Sequence, residues 1–280
     1  MFTLTEVPSK PNIHPTASVH PSAILGKDVS IGPYSIVGKN VIIGDRTKLE
    51  AHVLIEKWTQ IGDDCHIHFG AVIGSPPQDT KYEGEKSWVV MGDRNVIREY
   101  VTINRSTGKN NITKIGSDCL FLTNVHIAHN CELGDHVIIA NATALGGHTI
   151  IEDYATIGGI TGIHQFVRIG KGSMVGGFTG VYQDIPPFML CEGNPAYVRG
   201  INAIGLKRLG MSVKQVSLMK KAFKLLYRTD LNTTQAVKEI KDFEHELPEL
   251  EQLVSFLKAD TIRGITKKIP DPITDIDPSK

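Results

Sequence analysis

The chain has 280 residues, with 30 Lys plus Arg against 30 Asp plus Glu, so its formal net charge is zero. A balanced surface gives no general drive toward nucleic acid or an anionic membrane. No run reaches the roughly 18 to 20 apolar residues of a transmembrane helix, and the polar, proline-bearing stretch from Met1 to Asn12 does not read as a signal peptide. A cytoplasmic protein with ample chain to bury a core is expected.

After a lead-in over 1–12, the chain falls into a period of six. Ile13, Val19, Leu25, Ile31, Val37, Ile43, Leu49, Ile55, Ile61, Ile67 and Ile73 follow one another without a break. The pattern resumes at Met91, Ile97 and Ile103, then runs from Ile115 to Val181. Glycine often follows the aliphatic, and a small or β-branched residue such as Val29, Val41, Thr47 or Val53 comes four positions after it. A six-residue period suits neither a helix of about 3.6 residues per turn nor an alternating hairpin. It suits short flat strands joined by tight turns, with glycine expected to supply the turn dihedrals. Three such strands make a triangular coil of about 18 residues, and stacked coils pair their backbones about 4.8 Å apart. Cys65, Cys119 and Cys131 occupy the small-residue phase and read as buried thiols, not as disulfides or metal ligands.

Two stretches break the period. Residues 75–90, with Pro76 and Pro77, cannot continue a strand ladder, and the polar run 106–113 marks a second excursion. The first carries Gln78, Asp79 and Lys81 close together, which suits the wall of a site. The prism is expected to occupy 13–200. Beyond it the spacing becomes helical over 201–266: Ser212 to Gln215 resembles a capping box, Asn232 to Gln235 can begin a second helix, and Glu249 to Leu257 a third. Such an appendage would close the open end of a solenoid. Residues 267–280 read as a tail.

The chemistry collects on one column of the repeat. One coil of 18 beyond Asn130 stands His148, one coil beyond Gly146 stands His164, and His126 lies just before His129. A solvent-facing polar corner, a zinc site and a general base are all compatible with this cluster. The Gly146–Gly147 pair would let a substrate approach the backbone closely.

Particular words follow in a fixed order: Gln78-Asp79-Thr80-Lys81-Tyr82, Ile97 to Arg105, Asn124-Val125-His126-Ile127-Ala128-His129-Asn130-Cys131, Gly146-Gly147-His148, Ile163-His164-Gln165-Phe166, Gln183 to Pro187 and Gly205-Leu206-Lys207-Arg208. Together they resemble the acyl-[acyl-carrier-protein]–UDP-N-acetylglucosamine O-acyltransferases of lipid A synthesis, over residues 10 to 265. The resemblance implies a mainly β fold, a left-handed parallel β-helix with a C-terminal α-helical domain. It implies a homotrimer with the site between subunits, acyl carrier protein as donor, UDP-N-acetylglucosamine as acceptor, and no cofactor or metal. By the same resemblance His129 is the general base and the Gly147 N–H the oxyanion donor. His126, His148, His164 and Gln165 surround the sugar and thioester, and the first loop, with Gln78 beside its contact residues Asp79 and Lys81, meets the nucleotide sugar. Asn202 and Arg208 lie near its phosphates and nucleoside, and Gly177 leaves the acyl groove open for longer hydroxyacyl chains. Three positions depart from relatives: Asn130 stands where many have Asp, Pro195 where some have His, and Leu209 where some have a second Arg. A related N-acyltransferase acting on an amino-sugar nucleotide is the nearest alternative, and a γ-type zinc carbonic anhydrase a more distant one.

Overall fold

The computed structural model describes residues 11–267; the tail and all but the last two residues of the lead-in lie outside the described residues, apart from Lys267. Strands of mostly two residues recur every six positions from Asn12–Ile13 to Gly180–Val181 and assemble into three parallel sheets of 11, 9 and 8 strands. These are the faces of a triangular prism, and the count of 11 includes two strands beyond Val181, Met189–Glu192 and Tyr197–Ile201, which pair with each other antiparallel. The first face begins with Asn12–Ile13, the second with Ser18–Val19 and the third with Ile24–Leu25. Register advances by 18 residues per coil, as in His126↔Ala144↔Gly162↔Gly180 on the second face. The insertions lengthen individual coils without shifting register, so that Ile67 pairs with Ile97.

The period-six aliphatics fill the axis: Ile31, Ile43, Ile55, Ile67, Ile97, Ile127, Ile157 and Val181 are all buried. The small-residue phase lies beside them and also carries hydrogen bonds. Thr47 and Thr143 donate to the carbonyls of Gly62 and Gly158 at 2.8 Å. The Cys65, Cys119 and Cys131 thiols make the same contact to Gly92, Gly134 and Gly146 at 3.2–3.3 Å. Each is a free, buried thiol whose pKa burial raises.

The expectation that glycine supplies the turn dihedrals is corrected. From Asp28 onward the corners turn through a left-handed residue, and most of these are not glycine: Asp28, Tyr34, Asn40, Arg46, His52, Trp58 and Asp64 all have φ between 55° and 63°. The glycine that follows the aliphatic serves close packing between coils. A Cβ on Gly44 would come within 2.3 Å of the Asp63 carboxylate and 2.5 Å of the Gly62 backbone.

After Val181 the prism ends in an antiparallel pair, Met189–Glu192 with Tyr197–Ile201. Four helices follow: α1 (Ala203–Arg208), α2 (Val213–Tyr227), α3 (Thr233–Lys241) and α4 (Pro248–Lys258). Ser212 and Asn232 begin α2 and α3 with complete capping boxes, closed by Gln215 and Gln235. Apolar stripes including Val216, Met219, Leu250 and Leu253 bury between the helices. The domain is tied to the last coil by Asp184. Its buried carboxylate accepts from Arg168 Nε at 2.8 Å and Thr261 Oγ1 at 2.6 Å, while the Arg168 guanidinium lies over the Phe256 ring at 4.4 Å.

Candidate active site

The edge between the second and third faces carries the histidine cluster. His126 and Ile127 form a strand of the second face; Ile127 points inward and His126 outward, as alternation requires. His129 and Asn130 make the following corner, with Asn130 in the left-handed conformation at φ 59°. One coil further on, Gly147 lies beneath the His129 imidazole. A Cβ there would meet ring atoms at 2.6 Å, so any side chain at this position would clash with the ring. Among the described residues the buried Gly147 N–H has no acceptor.

The protons on this corner can be placed. Asn130 Nδ2 donates to the Thr107 carbonyl at 3.1 Å, and the Thr107 N–H donates to Asn130 Oδ1 at 2.9 Å. Both contacts come from main-chain groups of fixed sense, so the amide orientation follows from them. Oδ1 is therefore an acceptor, and the His129 Nδ1 at 2.8 Å from it must carry the proton. In the neutral ring Nε2 is then left with a free lone pair. Thr107 also reaches the first loop, because its hydroxyl donates to Asp79 Oδ2 at 3.1 Å. Asp79 Oδ2 stands 3.9 Å from His129 Nε2. The Lys81 N–H holds the Asp79 carboxyl below its usual pKa, with further help from Thr107. An ionised carboxylate thus faces the free nitrogen, where it would stabilise an imidazolium.

Burial lowers the pKa of His126 and of His148, and the neighbouring His129 adds to both shifts. His126 Nδ1 shares a 2.8 Å hydrogen bond with Thr102 Oγ1. His148 packs edge-on to His129 at 5.4 Å and stacks on Phe166 at 4.8 Å, so it buttresses the His129 ring from the side.

A cavity of about 410 Å³ opens over this edge, lined by Gln78, His126, His129, Gly147, His164 and Gln165 among others. It continues into a groove of about 510 Å³ across the second face, which shares Leu145, Gly146, Ile163 and His164 with it. The groove floor is a column of small residues, Ala144, Gly162 and Gly180, in strict register. The same outward position carries Ile36, Leu54 and Val72 on earlier coils. Ile160 and Phe178 stand at the far edge, and Phe178 is 75 % exposed.

Six predicted residues therefore line one cavity, with Asp79 and His148 against it. Lys81 is exposed in the loop beside them. The other three lie elsewhere in the single chain. Asn202 caps α1, with Oδ1 accepting from Gly205 N and Nδ2 donating to the Gly172 carbonyl. Arg208 is exposed at the end of α1, and neither it nor Asn202 lines the cavity. Gly177 lies at the far edge of the second face, next to Phe178, and is not part of the groove lining. Sequence reasoning missed Thr107, which locks both Asn130 and Asp79; its position in a polar excursion gave no periodic signal.

Residues 184–266 match the family described as UDP-N-acetylglucosamine O-acyltransferase, domain 2, and residues 22–57, 40–75 and 112–147 match the six-repeat bacterial transferase hexapeptide family. The chain is 47 % identical over 219 residues to the acyl-[acyl-carrier-protein]–UDP-N-acetylglucosamine O-acyltransferase of Gloeothece citriformis, covering 78 % of this chain and 79 % of that one. It is 49 % identical over 237 residues to the protein of the same name from Synechocystis, covering 85 % and 86 %. The chain belongs to this family.

Solved structures agree in fold with this member of the O-acyltransferase family. LpxA from Acinetobacter baumannii superposes with a TM-score of 0.88 at 41 % identity, over 91 % of this chain and 99 % of that one. The UDP-N-acetylglucosamine acyltransferase of Francisella novicida gives 0.88 at 36 % identity, over 93 % and 95 %. The prism of this O-acyltransferase family member is accordingly a left-handed parallel β-helix of hexapeptide repeats.

Proposed function

We propose that the chain transfers an acyl group, of the 3-hydroxyacyl type, from acyl carrier protein to the 3-position of UDP-N-acetylglucosamine, the first step of lipid A biosynthesis, with His129 as general base. The observation that carries the mechanism is the fixed proton on His129 Nδ1, which leaves Nε2 bare beside the cavity and next to the unpaired Gly147 N–H. In this reading the sugar 3-hydroxyl lies between Nε2 and the thioester carbon. As the oxygen attacks, its proton passes to Nε2, and the carbonyl oxygen gains charge facing the Gly147 N–H. Collapse of the tetrahedral intermediate expels the carrier thiolate, which takes the proton back from the imidazolium. Asp79 stabilises the imidazolium while it lasts. No step requires a metal.

The acyl chain follows the small-residue groove from His129 toward Phe178. Chain-length control falls to Gly177, which adjoins Phe178 at that end of the second face, and its lack of a side chain predicts a preference for longer hydroxyacyl chains. A homotrimer gives Asn202 and Arg208 a function, since they reach a shared site only if a neighbouring chain brings it to them. Among the described residues no helix is long and apolar enough to cross a membrane. A cytoplasmic location, where acyl carrier protein is found, fits the reaction.

The test is acyl transfer from hydroxyacyl-carrier proteins of graded length to UDP-N-acetylglucosamine, together with native mass spectrometry. Transfer by wild type and its loss in His129→Ala support the reading. An active His129→Ala would remove the base. A preference for ten carbons or fewer would remove the role given to Gly177, and a monomer would remove the shared site.

A further inference from the structure

A second histidine cluster stands on a different edge of the prism. Glu50, His66 and His68 lie where the first face turns into the second, whereas His129 lies where the second turns into the third. His66 faces outward from its strand, and His68 two residues later shares that outward side at the corner. Glu50 is one coil below His68, fixed by the ladder that pairs Lys48 with His66 and Leu49 with Ile67.

Their donor atoms converge. His66 Nε2 is 2.9 Å and His68 Nδ1 3.1 Å from the same oxygen, Glu50 Oε1, and all three atoms lie within 4.8 Å of one another. The two imidazoles stack with centroids 4.0 Å apart. The second oxygen, Oε2, accepts the Phe69 N–H at 3.3 Å, which sets the carboxylate plane. Glu99 adds a carboxylate 3.7 Å from His68 Nδ1, though it is already held by Arg98 and by the Thr123 hydroxyl.

We propose that Glu50, His66 and His68 bind one divalent transition cation of the zinc class. Two imidazoles and a carboxylate form a donor set suited to such ions, with bonds of about 2.0–2.2 Å. Tetrahedral ligands at those distances are separated by about 3.3–3.6 Å, so the observed 2.9 and 3.1 Å contacts need to open by about 0.2–0.7 Å. Side chains of His66 and Glu50 are each 40 % exposed, which gives the ion an entry path and leaves room for water as a fourth ligand. The ion would join adjacent coils and lies outside the transfer site. Its expected consequence is stabilisation of the prism, not a change in chemistry.

The test uses tag-free protein stripped with chelator, then titrated with zinc chloride by calorimetry and with cobalt chloride by visible absorption. One equivalent of zinc per chain, a cobalt d–d band of four-coordinate intensity and an upward shift in melting temperature are expected. Glu50→Gln and His66→Ala/His68→Ala should each lose at least tenfold in affinity and abolish the melting shift. Their metal-free melting curves show whether they fold, and their transfer rates should equal wild type. No binding by wild type overturns the proposal. Binding that survives in His66→Ala/His68→Ala but disappears in His126→Ala/His129→Ala also overturns it, by placing the metal at the transfer site.

Discussion

Two edges of the prism use the same corner in opposite ways. Where the third face meets the first, each coil's corner N–H is capped by a side chain of the next coil. Lys27, Asp45 and Asp63 donate to Asp45, Asp63 and Asp93, and the ladder continues through Ser117, Asp135 and Asp153. The preceding glycine leaves space for that carboxylate. Where the second face meets the third, the equivalent positions hold His129, Gly147 and Gln165, and among the described residues none of their N–H groups is capped. One corner spends its donors on itself, while the other leaves them open, that of Gly147 beneath the His129 ring. The difference lies in side chains, since the backbone ladder is continuous on both sides.

Substitutions on the two edges should separate chemistry from stability. His129→Ala should reduce kcat by roughly 10² to 10⁴ with little effect on melting, the range expected for loss of a general base. Gly147→Ala follows: its methyl group would push on a ring now 2.6 Å from that position. A displacement of about 1 Å costs on the order of 10² in rate. Steady-state kinetics should show this fall with the ring still present, and an unchanged rate would mean that the ring and the Gly147 backbone do not act together.

Asn130→Ala leaves the base but releases its Nδ1 proton from Oδ1, so the productive tautomer is no longer imposed. A loss of about tenfold in kcat with KM nearly constant is expected. Asn130→Asp should move the acid limb of kcat/KM to higher pH, because a carboxylate favours the imidazolium. An acid limb displaced to lower pH would contradict the proton placement. On the opposite edge, Asp93→Ala removes the acceptor for the Asp63 N–H. It should cost about 1 kcal/mol by denaturant unfolding, with transfer by the folded fraction unchanged.

The smallest effect is on pH stability. His126 and His148 have folded pKa values below the ordinary imidazole value, chiefly through burial. Above about pH 6.5 both states are neutral and the full stability is present. As pH falls below that value the unfolded chain takes up protons first, so stability drops until the folded values are reached. Urea midpoints should therefore decline on acidification, less steeply in His126→Asn; a midpoint that rose instead would reverse the assignment.

The fold was legible because the period of six is itself the geometry. Ile31, Ile67 and Ile127 recur at the spacing of the faces, and 18 residues return the chain to the same edge. The misreading of glycine was local: Gly44 looks like a turn residue in the sequence, but the turn falls at Arg46, and glycine is required by the next coil. The same arithmetic brought His129, His148 and His164 near one edge. It could not show that His148 supports the His129 ring from the side while His164 lines the cavity.

By itself, the sequence determined the stacked three-sided coil, its two interruptions, the capped helices and the column on which the histidines fall, because each follows from spacing along one chain. Only the tertiary structure decided which groups share protons. Asn130 is silent in the sequence beyond the absence of a charge. Its orientation depends on both main-chain groups of Thr107, which an excursion outside the repeat carries back to the His129 edge. Convergence of Glu50, His66 and His68 on one oxygen was equally invisible, since it depends on side-chain directions across adjacent coils. Periodicity sets where a backbone returns; hydrogen bonds across coils and loops set what its side chains can do.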